Sequence, residues 1–178
     1  MLLLVHHLNK SIRFLDKYPS EKLYHVSSDG GLIEMIARIP SNAMLFEDKV
    51  TKRICFSKNL EGCLKARWDF LTDPTYSREY YVYAPTNLSE IFIYNDDLKN
   101  LVPDAYMTGE IWITNKKITV DRIGKVCINS VKLNNKIYIT KNNWFNKEVF
   151  KYSNERKGSE PYSYIYDAEI KYQFLKCA

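Results

Sequence analysis

His25 and Glu110 are the two side chains whose type and setting suit chemistry. His25 stands in the run Leu23-Tyr24-His25-Val26-Ser27, which reads as a short strand closed by the turn signal Ser28-Asp29-Gly30-Gly31. A neutral imidazole there can accept or donate one hydrogen bond to a ligand hydroxyl. Glu110 follows Gly109 and opens the apolar run Ile111-Trp112-Ile113-Thr114. A carboxylate at a strand mouth is held by rigid backbone yet open to a cleft. It can bond a sugar hydroxyl and stabilise positive charge developing on a ribose carbon. Arg38 and Arg53 are each the lone basic residue at the edge of an apolar segment, and guanidinium groups hold phosphates bidentately, so together they suit a pyrophosphate. Tyr80, Tyr81 and Tyr83 lie on one aromatic strand, where a ring can stack on nicotinamide or a nucleobase. Alternation puts Tyr81 and Tyr83 on one face and Tyr80 on the other. Taken singly, each residue also has a plainer reading: a histidine satisfied by backbone, a solvated edge acid, a snorkelling arginine, a core tyrosine.

The elements that must position these groups follow from periodicity. Leu8, Ile12 and Leu15 fit the face of a short leading helix. After the His25 strand, Leu32, Met35 and Ile36 suggest one or two helical turns, and residues 41–52 an irregular loop. Arg53-Ile54-Cys55-Phe56-Ser57 is a compact buried strand that runs into a helix capped by Ser57 or Asn59 and ending near Thr72-Asp73-Pro74. Glu79 to Ala84 is a strand stopped by Pro85, and Ile91-Phe92-Ile93-Tyr94 a short strand or connector. Leu101 to Asp104 begins a surface excursion. Ile123 to Leu133 reads as a long strand, with Asn134-Asn135 turning it into a hairpin partner at Ile137-Tyr138-Ile139. Trp144 to Tyr152 suits a short helix or turn, and Tyr162 to Leu175 a terminal strand. Strands and helices do not alternate regularly, so the fold class expected is α+β, built on mostly antiparallel sheets with a few short helices.

Composition sets the outer bounds. A chain of 178 residues, with 46% hydrophobic and 26% charged residues, is the size of one domain with one real core. The abundance of Tyr (14 residues), Asn, Ile and Lys matches AT-rich codons and hints at a low-GC bacterium or its phages. A net charge of +5 favours an acidic partner without naming one. Cys55, Cys63, Cys127 and Cys177 lack metal-ligand spacing and read as free thiols in a reducing compartment. The apolar start stops at His6-His7, too short for a signal peptide, and no stretch reaches the ~18 apolar residues of a membrane span. The expected location is therefore the cytoplasm of a bacterial host cell, with no membrane partner. No dinucleotide glycine fingerprint, phosphate loop, zinc-protease helix or serine elbow occurs, and with three histidines no metal is expected.

In their order, these pieces resemble the ADP-ribosyltransferase-like fold. The segments that carry the resemblance are Leu23-Tyr24-His25-Val26-Ser27, then Arg53-Ile54-Cys55-Phe56-Ser57 with its helix, then Tyr80-Tyr81-Val82-Tyr83. Thr108-Gly109-Glu110-Ile111-Trp112-Ile113 and Ile118 to Ile123 complete it. The stretch is also similar to uncharacterised proteins of phages and prophages of low-GC bacteria. The resemblance implies a core over residues 23–128 and a C-terminal extension over residues 129–178 within a single domain. It implies NAD as substrate, with Glu110 as the catalytic residue stabilising an oxocarbenium-like ribose. His25, Ser27, Arg38, Arg53, Ser57 and Tyr81 would bind NAD, with His25 on the ribose and Tyr81 on nicotinamide. The activity implied is transfer of ADP-ribose to a host protein or nucleic acid. Position 108 is Thr, so the paired Glu/Gln-x-Glu of some members is absent, and no Ser-Thr-Ser strand motif occurs.

A second reading, from a different class, is a non-catalytic phage-encoded inhibitor of a host defence complex, acting by protein or nucleic-acid binding. A third is nucleic-acid binding through the C-terminal part, where Lys132, Lys136, Lys141, Lys147 and Lys151 interleave with Tyr138, Trp144 and Tyr152.

Overall fold

The computed structural model describes residues 14–15, 22–41, 45, 47–67, 78–86, 92–93, 102, 104–114, 117–140, 158–159 and 161–177. The described elements are β1 (Phe14–Leu15), β2 (His25–Ser27), β3 (Glu34–Ile36), β4 (Ile54–Ser57), α1 (Leu60–Lys65) and β5 (Glu79–Pro85). They continue as β6 (Phe92–Ile93), α2 (Ala105–Thr108), β7 (Glu110–Ile113), β8 (Lys117–Thr140) and β9 (Tyr162–Lys176). Every described strand pairing is antiparallel. The molecule is thus β-rich, with short helices, in agreement with the expected class.

One sheet has the order β1-β6-β7-β4; the other has β2-β5-β8-β3, with β9 added on β8. Isolated bridges at Tyr24–Ser57 and Arg38–Arg53 tie the two ends of β4 to the chain before β2 and after β3, joining the sheets. In β4 and β7 the residues opposite one another are Ile54–Ile113, Cys55–Trp112, Phe56–Ile111 and Ser57–Glu110. Because side chains alternate along a strand, Ile54, Phe56, Ile111 and Ile113 share one face, and Cys55, Ser57, Trp112 and Glu110 share the other. The apolar face joins Leu23, Tyr83, Ile118 and Val120 in a buried cluster. Val102 and Ala105 cover Trp112 on the other face. β7 is therefore buried on both sides, which explains its unbroken apolar run; each fully buried aliphatic chain contributes about 1.5–3 kcal/mol.

α1 packs Cys63 and Leu64 against Val26, Tyr80, Val82, Val126, Ile128, Ala168 and Ile170. Its start is fixed by Asn59, whose Oδ1 accepts from the Gly62 N–H at 2.6 Å. Tyr80 and Val82 face this cluster while Tyr81 and Tyr83 face the other, as alternation requires.

Several expectations change. Phe14–Leu15 pairs with β6 as a strand, not a helix, and the rest of the proposed leading helix lies outside the described residues. Glu34–Ile36 is a strand on β8, because pairing satisfies its backbone where two helical turns could not. The helix after β4 ends at Lys65, and residues 68–77 lie outside the described set. Val102 and Ala105 are buried rather than part of a surface excursion. Residues 117–140 form one continuous strand, so Asn134-Asn135 is not a hairpin turn. The partner of that strand is β9, and its register shifts between Ile128 and Ser130 and again between Leu133 and Asn135. Each shift adds one residue to β8 and reverses its parity, which looks like a turn when read locally. Trp144 to Tyr152 lies outside the described residues.

Candidate functional site

The outer face of β4–β7 opens into a cleft of about 1020 Å³. Ligand sites of small molecules and cofactors run to roughly 300–1,000 Å³, so the volume suits a dinucleotide-sized ligand. His25 and Ser27 of β2, Ser57 of β4 and Glu110 of β7 all line it, and Arg38 joins them from the segment after β3. Five of the seven site residues read from sequence thus meet in one place.

Glu110 is positioned by a short, heavily constrained segment. α2 ends at Gly109, whose φ of 59° is left-handed, and the Gly109 N–H donates to Ala105 O at 2.9 Å. The Thr108 carbonyl accepts the Ser57 hydroxyl at 2.7 Å. A Cβ added at Gly62 would lie 1.9 Å from Thr108 O, so glycine is what lets α1 approach this carbonyl. Glu110 then opens β7, largely buried, and its Oε1 accepts the Trp112 indole N–H at 2.8 Å. The Cys55 thiol, opposite Trp112, shares this face of the sheet with the carboxylate. Burial, followed by the negative charge of Glu110, raises the Cys55 thiol well above its ordinary range.

His25 is half-buried, its ring edge-on to Phe56 at 5.8 Å. Its Nδ1 lies 3.0 Å from Cys55 O. A carbonyl only accepts, so Nδ1 carries the proton and Nε2 is left with its lone pair. Burial lowers the His25 pKa from 6.5, the Cys55 carbonyl opposes this, and the Arg67 and Arg38 charges add to the lowering. The imidazole is therefore neutral at pH 7.

The cleft's charges are of two kinds. Arg38, Lys65 and Arg67 bring positive charge, and two of these act on His25. Glu47, Asp104 and Glu110 bring negative charge. Burial, then Glu110 and Glu47, pushes the Asp104 carboxyl up to about 8, which leaves it mainly protonated at pH 7. Lys65 is engaged by Glu61 at 2.8 Å.

Two of the proposed NAD-binding residues do not line the cleft. Arg53 has a fully buried side chain stacked on Trp112, 4.0 Å from ring centroid to guanidinium carbon. It pairs with Glu47 and Asp48 and donates to the carbonyls of Asp48 and Thr51. It braces the floor of the site instead of facing a ligand. Tyr81 lies in the other cluster, over Gly30 and 5.5 Å from the Arg122 guanidinium. The tyrosines among the described cleft-lining residues are Tyr162, Tyr164 and Tyr166 of β9. The Ser57 hydroxyl faces the cleft with its proton already given to Thr108 and its oxygen accepting from Asn59 N at 3.2 Å.

Sequence reasoning missed Glu47, Asp104, Arg67 and the β9 tyrosines. The tyrosine repeat of the last strand was the one available signal for a site contribution. Among the described residues no group of three or more His, Cys, Asp or Glu could hold a metal ion, and no helix is long and apolar enough to cross a membrane. All four cysteines are free. No protein-family model, curated protein or solved structure matches the chain.

Proposed function

We propose that the chain is an NAD-dependent ADP-ribosyltransferase with an ADP-ribosyltransferase-like core, acting on a host macromolecule. The observation that carries this reading is the meeting of His25 and Glu110 in one cleft whose walls hold both cationic and carboxylate groups. The ligand is a dinucleotide with an anionic pyrophosphate and a cationic nicotinamide ring, so both kinds of charge have a counterpart. Arg38 and Arg67 offer guanidinium donors for the pyrophosphate. His25, held as the Nδ1–H tautomer, offers Nε2 as acceptor to a ribose hydroxyl. Glu110 is oriented by Trp112 and faces the ribose carbon from which nicotinamide departs, stabilising positive charge there. The acceptor nucleophile forms its bond to that carbon and releases its proton to solvent, while nicotinamide leaves with the pair of the broken glycosidic bond. Burial keeps the surrounding dielectric low, which strengthens the carboxylate's effect.

Nicotinamide release from NAD, followed chromatographically, tests the assignment. Glu110→Gln keeps an oxygen for the Trp112 N–H and removes the charge, so release should fall about 10²–10³-fold with little change in melting temperature. Equal release by wild type and variant would remove Glu110 from the mechanism.

A further inference from the structure

We infer that the distal face of the β8–β9 ribbon is a docking strip for single-stranded nucleic acid, which it leads to the His25–Glu110 cleft. The name acceptor for that strand rests on the transferase reading; the strip itself stands on binding alone. The two register shifts in β8 keep one face of the ribbon continuous: Val126, Ile128 and Val131 pack on the core with Tyr172, Ile170 and Ala168, and beyond them the same face carries Lys136 and Tyr138 opposite Tyr166 and Tyr164. What begins as core face therefore ends as an aromatic surface past the end of α1.

Its geometry is that of a stacking platform. Tyr138 and Tyr162 meet edge to face at 5.5 Å, as do Tyr164 and Tyr166 at 5.6 Å. Lys136 Nζ lies 4.0 Å from the Tyr164 ring centroid and 5.3 and 5.9 Å from those of Tyr138 and Tyr166. Tyr164 is nevertheless 36% exposed. Bases stack on tyrosine rings whatever their identity, and an ammonium among the rings is placed for the phosphate between two stacked bases. Charge agrees: the cation among these rings is a lysine, and the cleft that Tyr162, Tyr164 and Tyr166 line also holds Arg38, Lys65 and Arg67, in a chain of net charge +5. Glu47, Asp104 and Glu110 line the cleft itself. An acidic peptide would find the lysine but gain nothing from the ring stack.

Fluorescence anisotropy with fluorescein-labelled single-stranded 12-mers, DNA and RNA of one sequence, measures the strip without NAD. Binding is expected, with Tyr164→Ala weakening it roughly tenfold and Tyr164→Phe retaining it, because the ring and not the hydroxyl stacks. Lys136→Ala should weaken binding and reduce the slope of log affinity against log salt by about 0.7. Both positions are on the surface, and circular dichroism confirms that the variants fold. Absence of binding to either oligonucleotide overturns the proposal. So does binding indifferent to Tyr164→Ala, or a poly-glutamate peptide bound with the same dependence on Tyr164. Nicotinamide release is measured in parallel on the wild type: its absence alongside Tyr164-dependent strand binding overturns the transferase reading and supports the strip.

Discussion

The strand junction around Glu110 and the ribbon of β8 and β9 build the same cleft by opposite means. At the junction, single polar side chains are fixed by specific bonds: Glu110 by Trp112, His25 by Cys55 O, Ser57 by Thr108 O. On the ribbon, repeated tyrosines are carried to the cleft by alternation and two bulges, with rings packed on rings. The first arrangement tolerates little displacement, since each group is held by specific partners. The second is redundant, since several rings present the same chemistry. Changes at the junction should therefore act on stability or chemistry sharply, and changes on the ribbon gradually.

The largest effect on stability is expected from Arg53→Ala. Glu47 and Asp48 would lose the Arg53 guanidinium, and breaking a buried pair this way costs about 3–5 kcal/mol. For a chain of this size that is roughly a 10 °C fall in melting temperature. A loss of NAD affinity without a loss of stability would instead return Arg53 to the ligand. Gly62→Ala should come next, at about 1–3 kcal/mol by denaturant unfolding, because the new methyl meets the Thr108 carbonyl and α1 must move away from the segment that sets Glu110.

Two smaller effects depend on pH. Asp104 has its folded pKa raised to about 8 from 3.8, so the folded chain binds more protons than the unfolded one in between. Its contribution to stability is present below 3.8 and is lost as pH rises towards 8. Asp104→Asn should thus flatten the loss of stability between about pH 4 and 8, most clearly when melting temperatures at about pH 5 and pH 8 are compared. His25 has its folded pKa lowered from 6.5, so the unfolded chain binds the extra proton and stability falls as pH drops below 6.5. His25→Gln should weaken that acid dependence, and a wild-type melting profile unchanged between pH 7 and 5.5 after correction for carboxylates would contradict the neutral imidazole.

The class of fold was legible because it rests on local signals. The β-branched and aromatic runs at Ile54–Ser57, Glu79–Pro85 and Tyr162–Lys176 are strands wherever they pack. His25 and Glu110 could be singled out because each sits beside a recognisable strand, and both line the same cleft. The surroundings of Arg53 were not legible, because a lone arginine beside an apolar segment looks the same whether it meets phosphate or two carboxylates from a loop. Tyr81 was chosen over the β9 tyrosines because nothing local shows which aromatic strand borders the cleft.

By itself, then, the sequence determined that the fold is built on mostly antiparallel strands, which runs form its main strands, and that a helix follows β4. Only the tertiary structure decided which of them meet. Pairing β4 with β7 put Glu110 across from Ser57, and a bridge from Tyr24 brought His25 beside Cys55. Pairing β8 with β9 turned an apparent Asn-Asn hairpin into a bulge and brought the last strand's tyrosines to the cleft. The physical reason is that propensity and capping act over a few residues, whereas register and face are settled by partners far away in the chain, where one added residue reverses every side chain after it.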